Sequence, residues 1–260
     1  MQPLAEKYRA SSLKEIKGQE GAIIKIKDFV SNNKKDGKKA AILHGPVGTG
    51  KTCLAYALAN ELKYEIVELN ASDLRNRKQI DLIVKSANEQ KSLFAGGKII
   101  LVDELDGISS YVDSGGISEL VLLLNKANVP IIMTANDIWQ KKFSELRQKS
   151  HLIELKQLNY KIIEDILNEI VKKENQNIKH DILTSIAIKR RGDVRAALND
   201  LQSLIQGEDL KPEDIIERNK EESIFNALRL VFKDKGDHVL KAYDNVNMPI
   251  EEIFLWVEKN

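Results

Sequence analysis

A single cysteine, Cys53, is all the thiol this 260-residue chain contains. That excludes an internal disulfide framework and suits a reducing compartment. The four histidines are scattered and, with one cysteine, form no metal-ligand spacing. No apolar run reaches the roughly 18 to 20 residues that a membrane span needs. The opening Met1-Gln2-Pro3-Leu4-Ala5-Glu6-Lys7 lacks the apolar stretch of a signal peptide. An excess of one charge is missing too: 40 Lys and Arg face 39 Asp and Glu, a net of +1. The total therefore makes no case for nucleic acid or membrane. What is present is 42% hydrophobic and 30% charged residues, the balance of a folding globular chain rather than a disordered tail. At roughly 150 residues per domain, the length suggests two domains.

The near-zero total hides an asymmetry. Residues 1–157 carry 24 basic and 19 acidic side chains; residues 158–260 carry 16 and 20. The first part is basic and the second acidic, as in a two-part molecule whose parts meet different partners.

Hydrophobic patterning divides the chain at the same place. Short runs rich in Ile, Val and Leu occur at Ala40–His44, Tyr64–Leu69, Ile99–Asp103, Val129–Thr134 and His151–Leu155. They read as strands buried on both faces. Amphipathic stretches lie between them, such as Ile23, Ile26, Phe29 and Val30, or Ile80, Ile83, Val84 and Ala87. Alternation of this kind predicts an α/β domain with a parallel sheet. After Leu158 the strand pattern ends. Helical stripes follow at Ile162–Ile170, Ile182–Ala187 and Val194–Leu204, then around Ile224–Phe232 and Ile250–Val257. The expected division is an α/β domain over 1–157, a small helical domain over 158–219 and a further helical region over 220–260.

Gly45-Pro46-Val47-Gly48-Thr49-Gly50-Lys51-Thr52 fits the G-x-x-x-x-G-K-[ST] phosphate-loop pattern, and it stands between a strand and a helical stretch. Glycines there let backbone N–H groups wrap phosphates, and the helix N-terminus adds partial positive charge. Lys51 is expected at the β- and γ-phosphates and the Thr52 hydroxyl on Mg²⁺. Cys53 follows directly, as a small side chain at the helix start beside the nucleotide. Ile99-Ile100-Leu101-Val102-Asp103-Glu104 delivers two carboxylates at a strand end. Asp103 is expected to hold Mg²⁺ through water, and Glu104 to orient and polarise the attacking water. Ile131-Ile132-Met133-Thr134-Ala135-Asn136 reads as a third strand ending in a polar residue; Asn136 could bond the γ-phosphate or the water, and an Asn there also suits a plain turn. Asp193 is a plausible N-cap for the helix carrying Arg195. His44, beside the loop, reads as packing.

Taken together these segments resemble an AAA+ ATPase, and more narrowly a clamp loader of the replication factor C type. The narrower resemblance rests on Glu6-Lys7-Tyr8-Arg9, on Asn70-Ala71-Ser72-Asp73, on Gly192-Asp193-Val194-Arg195 through Gln202, and on Leu255-Trp256-Val257 near the last residue. Asp103-Glu104-Leu105-Asp106-Gly107 and Thr134-Ala135-Asn136-Asp137 resemble large-subunit versions. The S-R-C motif of small subunits is absent, and Arg147, in its neighbourhood, is out of register for an arginine finger.

The resemblance implies a P-loop AAA+ parallel-sheet domain followed by a helical lid. It implies ATP and Mg²⁺ as cofactors, Tyr8 and Arg9 bordering the adenine, and Arg195 coupling the lid to the nucleotide. It implies small subunits, a ring-shaped sliding clamp and primer-template DNA as partners. Location would be cytoplasmic with the nucleoid in an archaeon and nuclear in a eukaryote. Residues 220–260 would begin a helical collar, so either the chain is shortened or a partner chain supplies the rest. Leu93 and Phe94 would enter the clamp, or pack on this chain's own core. Arg75, Arg77 and Lys78 would follow DNA phosphates without reading sequence, or form a solvated helix start. Other readings are a checkpoint-type loader, a branch-migration motor, or a scaffold with a structural nucleotide.

Overall fold

A computed structural model describes residues 2–32, 38–70, 85–88, 96–108 and 114–207. Met1–Gln202 form one compact unit and Ser203–Asn260 a second. The described part of the second unit is 203–207.

Five parallel strands form the sheet: β1 (Ala40–His44), β2 (Tyr64–Asn70), β3 (Gly97–Asp103), β4 (Ile131–Ala135) and β5 (Ser150–Glu154), in the order β2-β3-β4-β1-β5. The expected strands are all present; the first matches its expected bounds and the other four differ by one or two residues at an end. The fourth starts at Ile131 rather than Val129 because Pro130 has no N–H for the ladder; its carbonyl still accepts the Ile100 N–H at 3.0 Å.

The described helices, in chain order, are α1 (Leu4–Lys7), α2 (Glu20–Asn32), α3 (Lys51–Leu62), α4 (Ser114–Lys126), α5 (Ser144–Lys149), α6 (Tyr160–Lys173), α7 (His180–Lys189) and α8 (Val194–Ile205). Alternation along the strands supplies two cores. Ile42, Ile100, Val102, Ile131 and Met133 face one side, against Leu120, Leu123 and Leu124 of α4. Ala41, Leu43, Ile99, Leu101 and Ile132 face the other, against Ile26 and Phe29 of α2 and Leu54 and Leu58 of α3. Each such fully buried Leu or Ile contributes about 1.5–3 kcal/mol, so every strand of the sheet centre is fixed from both faces. Parallel register then sets the chemistry. His44 pairs with Ala135 and Glu154, and Asn70 with Asp103, so all five carboxyl ends lie along one rim. Ligands of open α/β sheets bind outside that rim.

Beyond β5 the chain is helical, through α6, α7 and α8. Asn159 caps α6, its side chain accepting the Lys161 N–H. Each of the three buries apolar side chains: Leu167 on α6, Leu183 and Ala187 on α7, and Leu201 on α8. The Arg190 guanidinium forks onto the buried carboxylate of Asp200, a planar bidentate pair that ties the α7 end to α8. At the other end of the chain, α1 lies on these helices: the Leu4 N–H donates to Gln202 at 2.8 Å, and Lys7 and the Tyr8 hydroxyl both donate to Glu174 at 2.6 Å.

Candidate nucleotide site

The loop from Gly45 to Gly50 leaves β1 and enters α3 at its N-terminus. Two glycines are dictated by close approach. A Cβ on Gly45 would stand 2.1 Å from the Leu155 carbonyl oxygen, and one on Gly48 would stand 1.8 Å from Asp193 Oδ1. Both have positive φ, +144° and +72°, where a side chain is strained in any case. Asp193 caps α8, accepting the Ala196 N–H at 2.9 Å, and the next residue, Val194, donates its N–H to the Gly48 carbonyl at 3.2 Å. The helix bearing Arg195 is therefore seated on the loop itself.

Lys51 reaches across the rim. Its ammonium donates to Gly45 O and Pro46 O at 2.9 Å and to Asn136 Oδ1 at 2.7 Å. Burial pushes its pKa down, Asp106 and Asp103 oppose that, and Arg195 adds to it. The Thr52 hydroxyl donates to Asp103 at 3.0 Å. Thr134, 2% exposed, joins the two acidic residues: its hydroxyl donates to Asp103 and accepts the Glu104 N–H at 3.0 Å. Glu104 is exposed and holds a left-handed conformation, φ 57°, ψ 56°. A non-glycine residue there costs about 1–2 kcal/mol. The hydrogen bond that the Glu104 N–H donates to Thr134 offsets part of that cost.

Sequence reasoning passed over two residues of this arrangement. The Asp106 carboxylate accepts the backbone N–H of Asn136 at 2.6 Å and of Asp137 at 3.1 Å. The buried amide of Gln19 pairs with the backbone of Lys156, donating to its carbonyl at 2.8 Å and accepting its N–H at 3.1 Å, and also reaches the Thr49 carbonyl at 3.4 Å. The G-Q-E segment that opens α2 and the D-E-L-D-G run were the available signals, but neither names its distant partner.

A cavity of about 820 Å³ opens over the rim, within the 300–1,000 Å³ range of ligand sites. Its walls carry every described residue expected at the nucleotide except the first two of the loop, Gly45 and Pro46: Tyr8, Arg9, Val47, Gly48, Thr49, Gly50, Lys51, Thr52, Cys53, Asp103, Glu104, Asn136 and Arg195 all line it. Arg9 stacks over the Tyr56 ring at 5.4 Å, and Tyr56, whose pKa burial and Glu68 push up to about 12, donates to Glu68. Cys53 lies 3.8 Å from the Ala10 carbonyl, and burial raises its thiol pKa, so it is an inert wall residue. His44 packs edge-on to Trp139 at 6.0 Å, and burial lowers its pKa. Arg147 donates to the Ile138 and Gln140 carbonyls and stacks over Trp139 at 5.6 Å; it is committed to its own chain. Arg75, Arg77, Lys78, Leu93 and Phe94 lie outside the described residues, as do residues 208–260.

The donor set fits a nucleotide with a hard cation. A hydroxyl and a carboxylate, Thr52 and Asp103, meet at 3.0 Å beside a lysine, which suits Mg²⁺ with its retained waters. Among the described residues no cluster of three His, Cys, Asp or Glu forms a metal cage. No described helix is long and apolar enough to cross a membrane.

A glycine loop between strand and helix, paired acids on the neighbouring strand, a polar residue on the next and a helical lid over them define a P-loop ATPase module. Comparison with known proteins agrees. The model of the ATPase family associated with various cellular activities (AAA) matches residues 41–157, and that of the RCF1/5-like AAA+ ATPase lid domain matches 165–205. Among solved structures, the Thermotoga maritima RuvB Holliday junction branch migration motor shares the fold, with a TM-score of 0.58 at 18% identity, over 96% of this chain and 91% of that one. The replication factor C large subunit of Nanoarchaeum equitans is 44% identical over 99% of this chain and 61% of its own length. That of Thermofilum pendens is 38% identical over 99% and 64%, and that of Methanococcus maripaludis 38% over 100% and 55%. The chain carries an AAA+ ATPase domain with its lid and is similar over nearly its whole length to archaeal replication factor C large subunits, of which it spans about three fifths.

Proposed function

We propose that the chain is the ATPase and lid portion of a clamp-loader large subunit, and that it uses ATP to help set a ring-shaped sliding clamp on primer-template DNA together with small subunits. The observation that carries this reading is the convergence of Lys51, Thr52, Asp103, Asn136 and Arg195 on one cavity, in a chain whose curated relatives bear the name replication factor C large subunit. Domain limits near 157 and 219 belong to the same proposal.

Residues of the rim divide the work. Backbone N–H groups of the loop and the Lys51 ammonium hold the phosphates. Mg²⁺, when bound at Thr52 and Asp103, neutralises phosphate charge. The Glu104 carboxylate takes a hydrogen bond from the attacking water and turns its lone pair toward phosphorus. Asn136 fixes the far side of the same water or phosphate oxygen. Arg195 brings positive charge from α8, and since that helix rests on Gly48, the lid is in direct contact with the loop. Tyr8 and Arg9 border the base. Hydrolysis by the chain alone is slow, because an arginine supplied by a neighbour is worth about 10³–10⁵ in rate in nucleotide hydrolases.

The test mixes the chain with candidate small subunits, clamp and primed DNA and measures ATP hydrolysis. Stimulation that needs clamp and primed DNA together supports the loader. Stimulation by junction DNA alone supports a motor, and no hydrolysis in any mixture supports a scaffold. Glu104→Gln is expected to bind ATP at near wild-type affinity and to lose turnover; normal turnover in that variant refutes the role of Glu104.

A further inference from the structure

The rim contains a carboxylate that hydrogen-bonds neither to the phosphate loop nor to Thr52. Asp106 lies two residues past Glu104, in the turn of 3₁₀-helix Leu105–Gly107, and lines the cavity. Its two oxygens are each spent on a backbone N–H of another strand's end: Oδ2 accepts from Asn136 at 2.6 Å and Oδ1 from Asp137 at 3.1 Å. Asp137 is held in its own right, since its side chain accepts the Trp139 N–H at 2.9 Å. The side chain of Asn136, positioned by that backbone, accepts from Lys51 at 2.7 Å. A continuous chain of bonds thus runs Asp106–Asn136–Lys51, from the acidic strand's turn through β4's end to the phosphate lysine. Backbone N–H groups after a strand end can be satisfied by water. A two-oxygen grip on consecutive ones fixes the direction in which the first residue's side chain leaves the rim, because both bonds together remove the peptide's freedom to rotate.

We propose that Asp106 is a positioning residue for ATP hydrolysis, gripping the Asn136–Asp137 turn so that the Asn136 amide faces Lys51 and the phosphate. This rests on the ATPase reading above. Removing the carboxylate leaves Asn136 in the chain but free to turn away. A misplacement of about 1 Å in a positioning group can cost about 100-fold in rate.

The experiment uses wild type, Asp106→Ala, Asn136→Ala and the double variant, with Asp106→Asn in place of Asp106→Ala if the latter does not fold. Two quantities are read. The first, which needs no nucleotide, is hydrogen exchange at the Asn136 and Asp137 amides. It should accelerate at least about 10-fold in Asp106→Ala while amides of β1 and β3 keep their protection. The second is single-turnover hydrolysis at saturating ATP with protein in excess, followed for hours so that slow turnover registers. Asp106→Ala should fall about 10- to 100-fold with ATP affinity changed only a few-fold. The double variant should be no slower than Asn136→Ala alone, because residues that act through one another are not additive.

Unchanged exchange at the two amides overturns the proposal. So does a hydrolysis rate in Asp106→Ala equal to wild type while Asn136→Ala is impaired, and so do additive losses in the double variant. Failure of the underlying reading looks different: wild type itself then neither binds nor hydrolyses ATP, whatever the exchange experiment shows, and the positioning role falls with it.

Discussion

Replacing Gly48 by alanine tests whether the seat of α8 on the phosphate loop is as tight as the geometry says. The added methyl carbon would lie 1.8 Å from Asp193 Oδ1, 2.3 Å from its Cγ and 2.8 Å from its backbone α-carbon, all inside the roughly 3.5 Å at which carbon atoms pack. Rotating the Asp193 side chain away relieves the first two clashes and gives up the cap on Ala196, worth about 1 kcal/mol. The third clash is with main chain, and no side-chain rotation relieves it. Moving that main chain lifts Val194 from the Gly48 carbonyl, another ~1 kcal/mol. The left-handed φ adds about 1–2 kcal/mol for any side chain. Together the loss is about 3–4 kcal/mol, or roughly 6–16 °C in Tm at about 2–4 °C per kcal/mol for a unit of this size. Gly50→Ala is the control. It shares the positive φ, but its Cβ would meet nothing closer than Cys53 Cβ at 4.0 Å, so only the strain is incurred. Thermal unfolding by circular dichroism compares the two, and Asp193→Ala is added to each. In the Gly48→Ala background Asp193→Ala should cost less than in wild type, since it removes the colliding carboxylate. Equal melting of Gly48→Ala and Gly50→Ala, or strictly additive losses with Asp193→Ala, refutes the reasoning.

Two further outcomes follow from the hydrogen bonds of the rim and of the chain's start. Thr134→Val removes the acceptor for the Glu104 N–H and a donor to Asp103; an unfolding midpoint in urea should fall by the equivalent of about 2 kcal/mol, and a change under about 0.5 kcal/mol speaks against the tie. Lys7 and Tyr8 hold the Glu174 carboxyl below its usual 4.5 through their hydrogen bonds. Its folded pKa being lowered, the contribution is present in full above 4.5 and disappears as pH falls through the lower folded value. The Tm of Glu174→Gln should therefore trail wild type slightly at pH 7 and converge with it in strong acid; a gap that persists unchanged in acid contradicts the assignment.

The strand-helix alternation, the phosphate loop and the Asp103-Glu104 pair were legible because each is local: a run of about five to ten residues states both the element and its chemistry. The same holds for the position of Asn136 at the rim, which needed only a strand before it. Asp106 stood in plain view in D-E-L-D-G and carried no readable role, because its partners come from the end of β4, 30 residues on. Gln19 was less legible still, since the backbone it pairs with is 137 residues away. Tyr8 and Arg9 were assigned by resemblance; what they touch, Glu174 and the Tyr56 ring, depends on how the chain's start crosses the lid helices and α3. Val129 reads as strand by its apolar character, and the missing N–H of Pro130 overrides it. Arg147 illustrates the reverse case. Sequence register set it aside as a finger, and the structure supplies its occupation, the Ile138 and Gln140 carbonyls and the face of Trp139.

The Gln19 amide has a consequence for where the lid can pivot. It clasps Lys156 by both backbone groups, so the connecting segment is anchored to the α/β domain up to that residue. From Asn159 onward the chain already belongs to α6 through its cap. Gln157 is attached to the lid side by its bond to the Arg191 carbonyl. A swing of the helices about the sheet would turn on the torsions of residues 157–159, a short axle whose anchoring amide also reaches the phosphate loop through the Thr49 carbonyl.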